Sequence, residues 1–184
     1  MAIHLIVGYQ GSGKTLYMVK KAHEYYKAGK KIYSNIHFVG IKYEKIYKKD
    51  IIDCKYRNAV VFIDEIHLLL PSRNSMSKDS REICDGFLSM IRKAGLEVFG
   101  STQTKRKVDI RFREETDYLY NATKYAYINY KWELVQHSEN LNTDIPIMIK
   151  IEVMEMINGN MININFYGNP FFKLFDTKQI IKIK

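Results

Sequence analysis

Residues 8–15 read GYQGSGKT, a glycine-rich corner between a short apolar run and a stretch in which apolar residues have helical spacing. The corner fits the pattern G-x-x-x-x-G-K-[ST], whose glycines let successive backbone N–H groups turn toward bound phosphates. The apolar run at 2–7 predicts a buried strand, and the spacing over 14–28 predicts a helix that stops at Gly29. This order of strand, loop and helix favours a phosphate-binding loop over a glycine turn followed by a chance lysine.

The loop predicts a nucleoside triphosphate site in which individual residues have separate tasks. Lys14 is expected to reach the terminal phosphates, and the hydroxyl of Thr15 is expected to coordinate Mg²⁺. The positive end of the dipole of the following helix adds to the attraction for phosphate. The residues predicted to bind ATP are Gly8, Tyr9, Gln10, Gly11, Ser12, Gly13, Lys14 and Thr15.

A second candidate element is VVFIDEIH, residues 60–67. Its continuous apolar run is typical of a central parallel strand with both faces covered, and the run ends at Asp64 and Glu65. We expect Asp64 to hold Mg²⁺ through water and Glu65 to polarise the water that attacks the γ-phosphate, as in hydrolysing proteins of this class. The alternative is a strand that merely ends in two acids. His67 is interpreted as a packing or capping residue.

A third candidate element is VFGSTQ, residues 98–103, at the end of the next predicted strand. Its polar end includes Gln103, whose amide is expected to lie beside the γ-phosphate, where it senses the phosphate or orients the attacking water. A polar strand end is also the ordinary way into a loop. The position of Gln103, one helix after the acidic pair, favours the catalytic interpretation.

The pattern along the first part of the chain alternates between strand and helix. It predicts strands within 30–36, 59–65 and 96–103, a short surface helix within 42–53, and a helix over 80–95 that ends at a glycine. Such alternation predicts an α/β fold with a mostly parallel central sheet and helices on its faces.

The pattern changes after residue 115, where apolar residues alternate with period 2 over 118–135, 145–156 and 161–168. This predicts a β-rich C-terminal extension, with Asn158-Gly159 as a two-residue hairpin turn. No repeat or disordered linker separates the parts. We therefore interpret 1–184 as a single P-loop ATPase domain, with a nucleotide-binding core at 1–115 and the extension at 116–184.

Composition limits the classes of partner and compartment. The chain has 184 residues, enough for one sizeable core, and a net charge of +9 that favours a polyanionic partner such as nucleic acid. A solvated lysine-rich surface explains the same charge. Cys54 and Cys84 are isolated, which indicates neither a disulfide framework nor a zinc site. The sequence shows no basic leader and no apolar run near the roughly 20 residues of a membrane span, so a cytoplasmic protein without an intrinsic span is expected.

Several segments together resemble a known family. The segments GYQGSGKT, IYSNI, VVFIDEIHLLLPSR, IRKAGLEVFGSTQ, VDIRFREETD and FKLFDT follow one another as in the Zot-like branch of the HerA and FtsK superfamily of P-loop ATPases. The resemblance runs from about residue 3 to 120, with a weaker match near the C-terminus. It implies an α/β P-loop ATPase with a RecA-like parallel sheet. It also implies ATP hydrolysis by ring-shaped oligomers that pump or package DNA, or that assemble and extrude filamentous virus particles.

The resemblance also bears on partners. Zot proteins usually carry a membrane span after the ATPase domain, and this sequence has none, which favours a genome-packaging ATPase over an extrusion ATPase. Sequence-independent DNA binding, and a viral capsid or portal component as a partner, are then expected. A P-loop kinase is a third hypothesis, against which the acidic pair and Gln103 argue because they are features of hydrolysis.

The resemblance further implies that an arginine from a neighbouring subunit stabilises charge on the transferred phosphate. The segment 104–115 supplies Arg113, which we favour, and then Arg111. Arg73 and Arg92 are weaker candidates. The alternative for Arg111 and Arg113 is that they solvate a loop or pair with nearby carboxylates.

Two basic segments, 71–81 and 104–113, are expected to lie on the side of the active site and to contact DNA phosphates without reading sequence. Alternating tyrosines in the extension have two explanations, base stacking or ordinary sheet packing. These tyrosines are Tyr118, Tyr120, Tyr125, Tyr127 and Tyr130.

Overall fold

The computed structural model describes residues 1–53, 55–72, 78–135 and 145–175. The strands are β1 (Ile3–Val7), β2 (Lys31–Ser34), β3 (Glu44–Lys45), β4 (Ala59–Ile63), β5 (Glu97–Thr102), β6 (Tyr118–Ile128), β7 (Lys131–Leu134), β8 (Ile147–Glu155) and β9 (Met161–Tyr167). The α-helices are α1 (Lys14–Lys27), α2 (Lys48–Ile52), α3 (Lys78–Lys93) and α4 (Ile110–Glu114). Short 3₁₀ turns cover Ile66–Leu68, Lys105–Lys107 and Asn169–Leu174. Cys54 and Arg73 lie outside the described residues.

The described strands form one sheet in the order β3-β2-β4-β5-β1-β6-β8-β9, and β7 pairs with β6. The first six strands pair in parallel, whereas β7 and β8 run antiparallel to β6, and β9 runs antiparallel to β8. The predicted RecA-like P-loop fold with a mostly parallel central sheet is confirmed. Because β5 lies between β1 and β4, the carboxyl ends of these three strands meet at one edge of the sheet.

Two apolar layers cover the sheet, one on each face. On one face α1 packs through Leu16, Tyr17 and Val19, and on the other face α3 packs through Phe87 and Ile91. Every residue of β4 is buried, which explains why its sequence is continuously apolar rather than alternating. The end of this strand is therefore held rigidly between two layers.

The C-terminal strands complete the sheet next to the phosphate loop. The strand β6 pairs in parallel with β1 up to the pair of Val7 with Asn121, and then continues beyond the end of β1. Alternate residues of β8, including Ile147 and Ile149, are buried in the same apolar layer as α1. The extension therefore forms part of the support for the helix that follows the loop.

Two local predictions differ from the structure. The predicted surface helix within 42–53 is the five-residue helix α2, and its Ile51 is fully buried in the layer of α3. The predicted two-residue turn at Asn158-Gly159 is wrong, because residues 156–159 all lie between the paired ends Glu155 and Asn160. Of these four residues only Gly159 has a positive φ, 69°, whereas a two-residue type I′ turn needs positive φ at both positions.

The two-residue turn occurs instead at Asn129-Tyr130, between β6 and β7. Both residues are left-handed, with φ of 49° and 64°, and the flanking residues Ile128 and Lys131 are paired. Asparagine tolerates this conformation but tyrosine does so at a cost, so Asn-Tyr is a weak turn signal. The continuous alternation through 118–135 therefore hid the break between the two strands.

Candidate functional site

The phosphate loop is pressed closely against the C-terminal strands. Gly8, Gly11 and Gly13 have φ of 155°, 77° and 95°, a range that favours glycine. A Cβ at Gly8 would lie 2.7 Å from the carbonyl oxygen of Ala122, and a Cβ at Gly13 would lie 2.5 Å from Cδ1 of Ile149. Both glycines are thus required by backbone conformation and by the close approach of β6 and β8.

Lys14 lies across this loop as a buried cation. Its Nζ donates to the carbonyl oxygens of Gly8 and Tyr9, each at 2.9 Å. Burial lowers the pKa of Lys14, and the nearby charges of Glu65 and Asp64 oppose that shift. An amine that is desolvated in this way gains strongly from a phosphate ligand, as the sequence predicted for this position.

The hydroxyl of Thr15 and the carboxylate of Asp64 converge beside the loop. Thr15 Oγ1 donates to Asp64 Oδ2 at 2.8 Å, and the other carboxylate oxygen accepts from the Ser101 hydroxyl. Asn35 holds the Asp64 peptide, because its amide oxygen accepts from the Asp64 N–H and its amide nitrogen donates to the Asp64 carbonyl, both at 2.8 Å. Sequence reasoning missed the role of Asn35, although it lies in the segment IYSNI that carried the resemblance.

This donor set fits Mg²⁺. A hydroxyl and one carboxylate are hard oxygen ligands, and Mg²⁺ in phosphate sites commonly takes one or two carboxylates together with substrate phosphates and water. Over the described ranges, no cluster of three or more His, Cys, Asp or Glu side chains could enclose a metal by itself. Thr15 and Asp64 are therefore the residues of this site that would hold the ion, as predicted from the sequence.

Glu65 has a strained backbone and a shifted pKa. Its φ and ψ are both 52°, a left-handed conformation that costs a non-glycine residue roughly 1–3 kcal/mol. Its N–H is held by Asp64 Oδ1 at 3.1 Å and by Ser101 Oγ at 3.2 Å. Burial, and secondarily the charge of Asp64, raise the pKa of Glu65, while Lys14 and Lys107 oppose the shift. These constraints place a basic carboxylate beside the phosphate loop.

His67 lies against the Glu65 carboxylate rather than in a purely packing position. Its Nδ1 is 3.2 Å from Glu65 Oε2, without hydrogen-bond alignment, and 3.3 Å from the hydroxyl oxygen of Thr102. Burial, and then the charge of Lys107, lower the pKa of His67. A neutral imidazole therefore borders the catalytic candidate, a role that a lone histidine after a strand did not reveal.

Gln103 reaches the same carboxylate from the end of β5. The nearby side-chain amide of Gln103 lowers the pKa of Glu65, although less than burial raises it. Its amide oxygen also accepts a long hydrogen bond, 3.4 Å, from Lys107 Nζ. The structure therefore brings together five of the side chains that the sequence singled out, Lys14, Thr15, Asp64, Glu65 and Gln103.

Comparison with known families identifies the chain. A profile of the ATPase family associated with various cellular activities (AAA) matches residues 4–119, which include the loop, the acidic pair and Gln103. The chain belongs to this family. Among curated protein sequences, none matches this AAA ATPase significantly.

Solved structures share its fold. The N-terminal domain of zonular occludens toxin from Neisseria meningitidis is 18% identical, with a TM-score of 0.63 over 95% of this chain and 98% of that one. The genome packaging NTPase B204 from Sulfolobus turreted icosahedral virus 2, in complex with ATP-gammaS, is 16% identical, with a TM-score of 0.57 over 88% and 96%. A DnaB-like replicative helicase is 11% identical, with a TM-score of 0.57 over 89% and 54%.

The two arginines favoured for an action between subunits have different environments in this AAA ATPase. Arg111 donates from its backbone N–H and its Nε to Asp109 Oδ1, at 2.8 and 3.0 Å, and its Nη1 pairs with Asp85 of α3. Arg113 Nε is buried and has no hydrogen-bond partner in the described part of the chain. Arg111 is therefore committed to its own subunit, whereas the Arg113 side chain pairs with no carboxylate among the described residues.

Arg92, the weaker candidate, forms an exposed ion pair with Glu115 of the same chain. Arg73 lies outside the described residues, as do residues 74–77 of the basic segment 71–81. The second basic segment, 104–113, begins with an exposed 3₁₀ turn at Lys105–Lys107. This turn begins two residues after Gln103, at the end of β5.

Two of the five extension tyrosines pack around His4. Tyr120 is buried and its hydroxyl lies 2.7 Å from His4 Nδ1, while the ring of Tyr118 stacks on His4 at 5.1 Å. Sheet packing is therefore the correct interpretation for these two residues. Tyr130, at the turn between β6 and β7, is 94% exposed, and Tyr127 packs against Trp132 with ring centroids 5.2 Å apart.

Proposed function

We propose that this AAA ATPase is an oligomeric motor that hydrolyses ATP to translocate or package DNA, and that it belongs to the Zot-like branch of the HerA and FtsK superfamily. The observation that carries the proposal is Glu65, a strained carboxylate of raised pKa held beside the phosphate loop and contacted by Gln103. A positioned base serves hydrolysis, because the nucleophile is water and must lose a proton.

The chemistry assigned to the chain is in-line attack by water on the γ-phosphate. Glu65 accepts the proton of the water as the new P–O bond forms and the bond to the β-phosphate oxygen breaks, which yields ADP and phosphate. Lys14 and the loop N–H groups neutralise phosphate charge, and Gln103 orients the water or senses the phosphate. A Mg²⁺ ion held by Thr15 and Asp64 would supply further neutralisation of the phosphates.

The exposed basic turn supports DNA as the polyanionic partner. Lys105, Arg106 and Lys107 are exposed, and Lys107 contacts Gln103 and influences the pKa of Glu65. A DNA phosphate that engages this turn would therefore act on groups that touch the catalytic carboxylate. The net charge of +9 and the packaging role named for B204 support the same partner.

A virion-assembly ATPase is the second candidate, favoured by the similarity to the zonular occludens toxin domain over 95% of the chain. Within the described residues, no helix combines the length and apolar character needed to cross a membrane. DNA stimulation of turnover distinguishes the two candidates.

The test is ATP turnover with and without long double-stranded DNA at several protein concentrations. We expect the turnover per subunit to rise with protein concentration, because the proposed motor is an oligomer. We also expect DNA to stimulate turnover. Raising salt from 50 to 200 mM should remove the stimulation, since six to ten phosphate contacts lose roughly 10³–10⁵ in affinity over that range.

Paired variants identify the DNA surface. Arg106→Gln should weaken stimulation, whereas Lys131→Gln, a matched charge change at an exposed residue of β7, should leave it intact. Turnover that DNA does not affect would support the virion-assembly role instead. If phosphate transfer instead requires a small acceptor molecule, the protein is a P-loop kinase.

The raised pKa of Glu65 predicts an acid limit to turnover. The base is active when ionised, so kcat should fall as the pH drops through a value above the ordinary glutamate pKa of 4.5. The positive charge of Lys107 favours the ionised form. Lys107→Met should therefore raise the pKa of Glu65 and move the acid limb of the kcat profile to higher pH, measured without DNA.

Lys105→Met is the control for this profile, because it removes the same charge from the same turn without a contact to Gln103 or an influence on the pKa of Glu65. Its acid limb should coincide with that of the wild type. A limb that stays in place in Lys107→Met, or that moves to lower pH, would remove Glu65 as the titrating base.

A further inference from the structure

Lys124 lies on the face of β6 that carries the phosphate loop. Alternate residues of this strand, Tyr120, Ala122 and Ala126, belong to the apolar layer of α1, and Lys124 continues the same alternation. Leu119, one position out of phase, packs against the opposite layer, that of α3. The Lys124 side chain is therefore directed to the same side of the sheet as α1.

The register places Lys124 beside the residue that supports the loop. Lys124 pairs directly with Ile149 of β8, and the Ile149 side chain is the one that a Cβ at Gly13 would strike at 2.5 Å. Directly paired residues of antiparallel strands have Cβ atoms about 4.5–5.5 Å apart. The carbonyl oxygen of Ala122, two residues earlier on β6, would be 2.7 Å from a Cβ at Gly8. Lys124 therefore stands next to both ends of the loop.

Among the described residues, no anion neutralises the amine of Lys124. In the part of the chain that the structure describes, it makes neither a hydrogen bond nor an ion pair. The residue is half-buried, and burial alone lowers its pKa. Lys150, on the opposite face of β8, pairs instead with Glu152 at 2.9 Å. A half-buried cation without a partner next to a phosphate loop is a binding group for an anion.

The order of the strands indicates which part of the nucleotide Lys124 meets. Asp64, Glu65 and Gln103 follow β4 and β5, on one side of β1, whereas β6 lies on the other side. A triphosphate that presents its γ-phosphate to the acidic pair must extend its nucleoside end toward β6. We propose that Lys124 is a second phosphate-binding cation, which contacts the phosphate nearest to the nucleoside and so fixes the direction of the triphosphate in the loop.

The inference rests on the proposed nucleotide site. Variants of Lys124 and Lys150 test the role of Lys124 separately from the existence of that site. Lys124→Met keeps the length of the apolar stem and removes the charge, and Lys150→Met makes the same change on the other face of the sheet. We expect Lys124→Met to weaken ATP and GTP equally, about tenfold or more, because a phosphate contact does not depend on the base. Lys150→Met should bind both nucleotides as the wild type does, and Lys124→Arg should restore most of the loss.

A second measurement uses the wild-type chain and so does not depend on the folding of a variant. Bound ATP should protect Lys124 from acetylation by a soluble reagent, detected by mass spectrometry, and should leave Lys150 reactive. Equal reactivity of Lys124 with and without ATP overturns the inference, as does unchanged affinity of Lys124→Met. Weaker ATP binding with unchanged GTP binding also overturns it, since the contact would then be to the base. If the wild type binds no nucleotide, the proposed function itself fails.

Discussion

Glu65→Gln should lower kcat for ATP at least about 100-fold while it changes ATP affinity little, because general bases typically contribute 10²–10⁴-fold to rate. Glutamine has the shape of glutamate but cannot accept the proton of the attacking water. In the proposed site, binding depends mainly on the loop, where Lys14 and the backbone N–H groups would meet the phosphates. Phosphate release measures the first quantity, and binding of a fluorescent ATP analogue measures the second.

The matched variant is Lys14→Ala, which should abolish binding itself. The two variants then divide the site into a group that holds the nucleotide and a group that acts on water. Removal of a buried carboxylate near Asp64 also relieves repulsion between like charges, so Glu65→Gln should be no less stable to heat than the wild type. Turnover at the wild-type rate in Glu65→Gln would transfer the role of base to another residue and leave the strained backbone of Glu65 without an explanation.

The core of the site could be predicted because its signals are local. The glycines of the loop GYQGSGKT predict its conformation, and the continuous apolar run that ends at Asp64 predicts the burial of β4. Carboxyl ends of parallel strands meet at one edge, so knowledge of the fold class was enough to bring Asp64, Glu65 and Gln103 to the loop. Side-chain packing did not have to be known to place these three residues beside the loop.

Other residues could not be predicted because their roles depend on strand order and on distant partners. Asn35 holds the Asp64 peptide only because β2 is the neighbour of β4. Lys124 approaches the loop only because β6 lies beside β1 and β8 beside β6, an order that period-2 alternation does not contain. Arg111 and Arg113 are close in sequence and chemically identical. Their difference comes from Asp85 of α3, which pairs with Arg111.

Arg113→Ala should leave ATP binding unchanged and lower turnover by roughly 10³–10⁵-fold if it acts across a subunit boundary, as arginines supplied in trans do in related phosphoryl transfer. Arg113 is favoured because its guanidinium, unlike that of Arg111, forms no ion pair or hydrogen bond in the described part of its own chain. Arg111→Ala is the contrasting variant. It breaks contacts to Asp109 and Asp85 within the subunit, so its loss should appear as a lower melting temperature rather than as a catalytic defect.

Mixing two defective proteins tests the action in trans. Arg113→Ala and Glu65→Gln are each expected to be nearly inactive alone. In a mixed ring, some interfaces join an intact Glu65 site of one subunit to an intact Arg113 of its neighbour, and turnover should reappear with a maximum at intermediate ratios. If both residues serve the same subunit, every active site in the mixture carries one defect and no ratio recovers activity. Arg113 would then be assigned to DNA contact or to the stability of α4. The proposed ring would in that case not be needed to complete the active site.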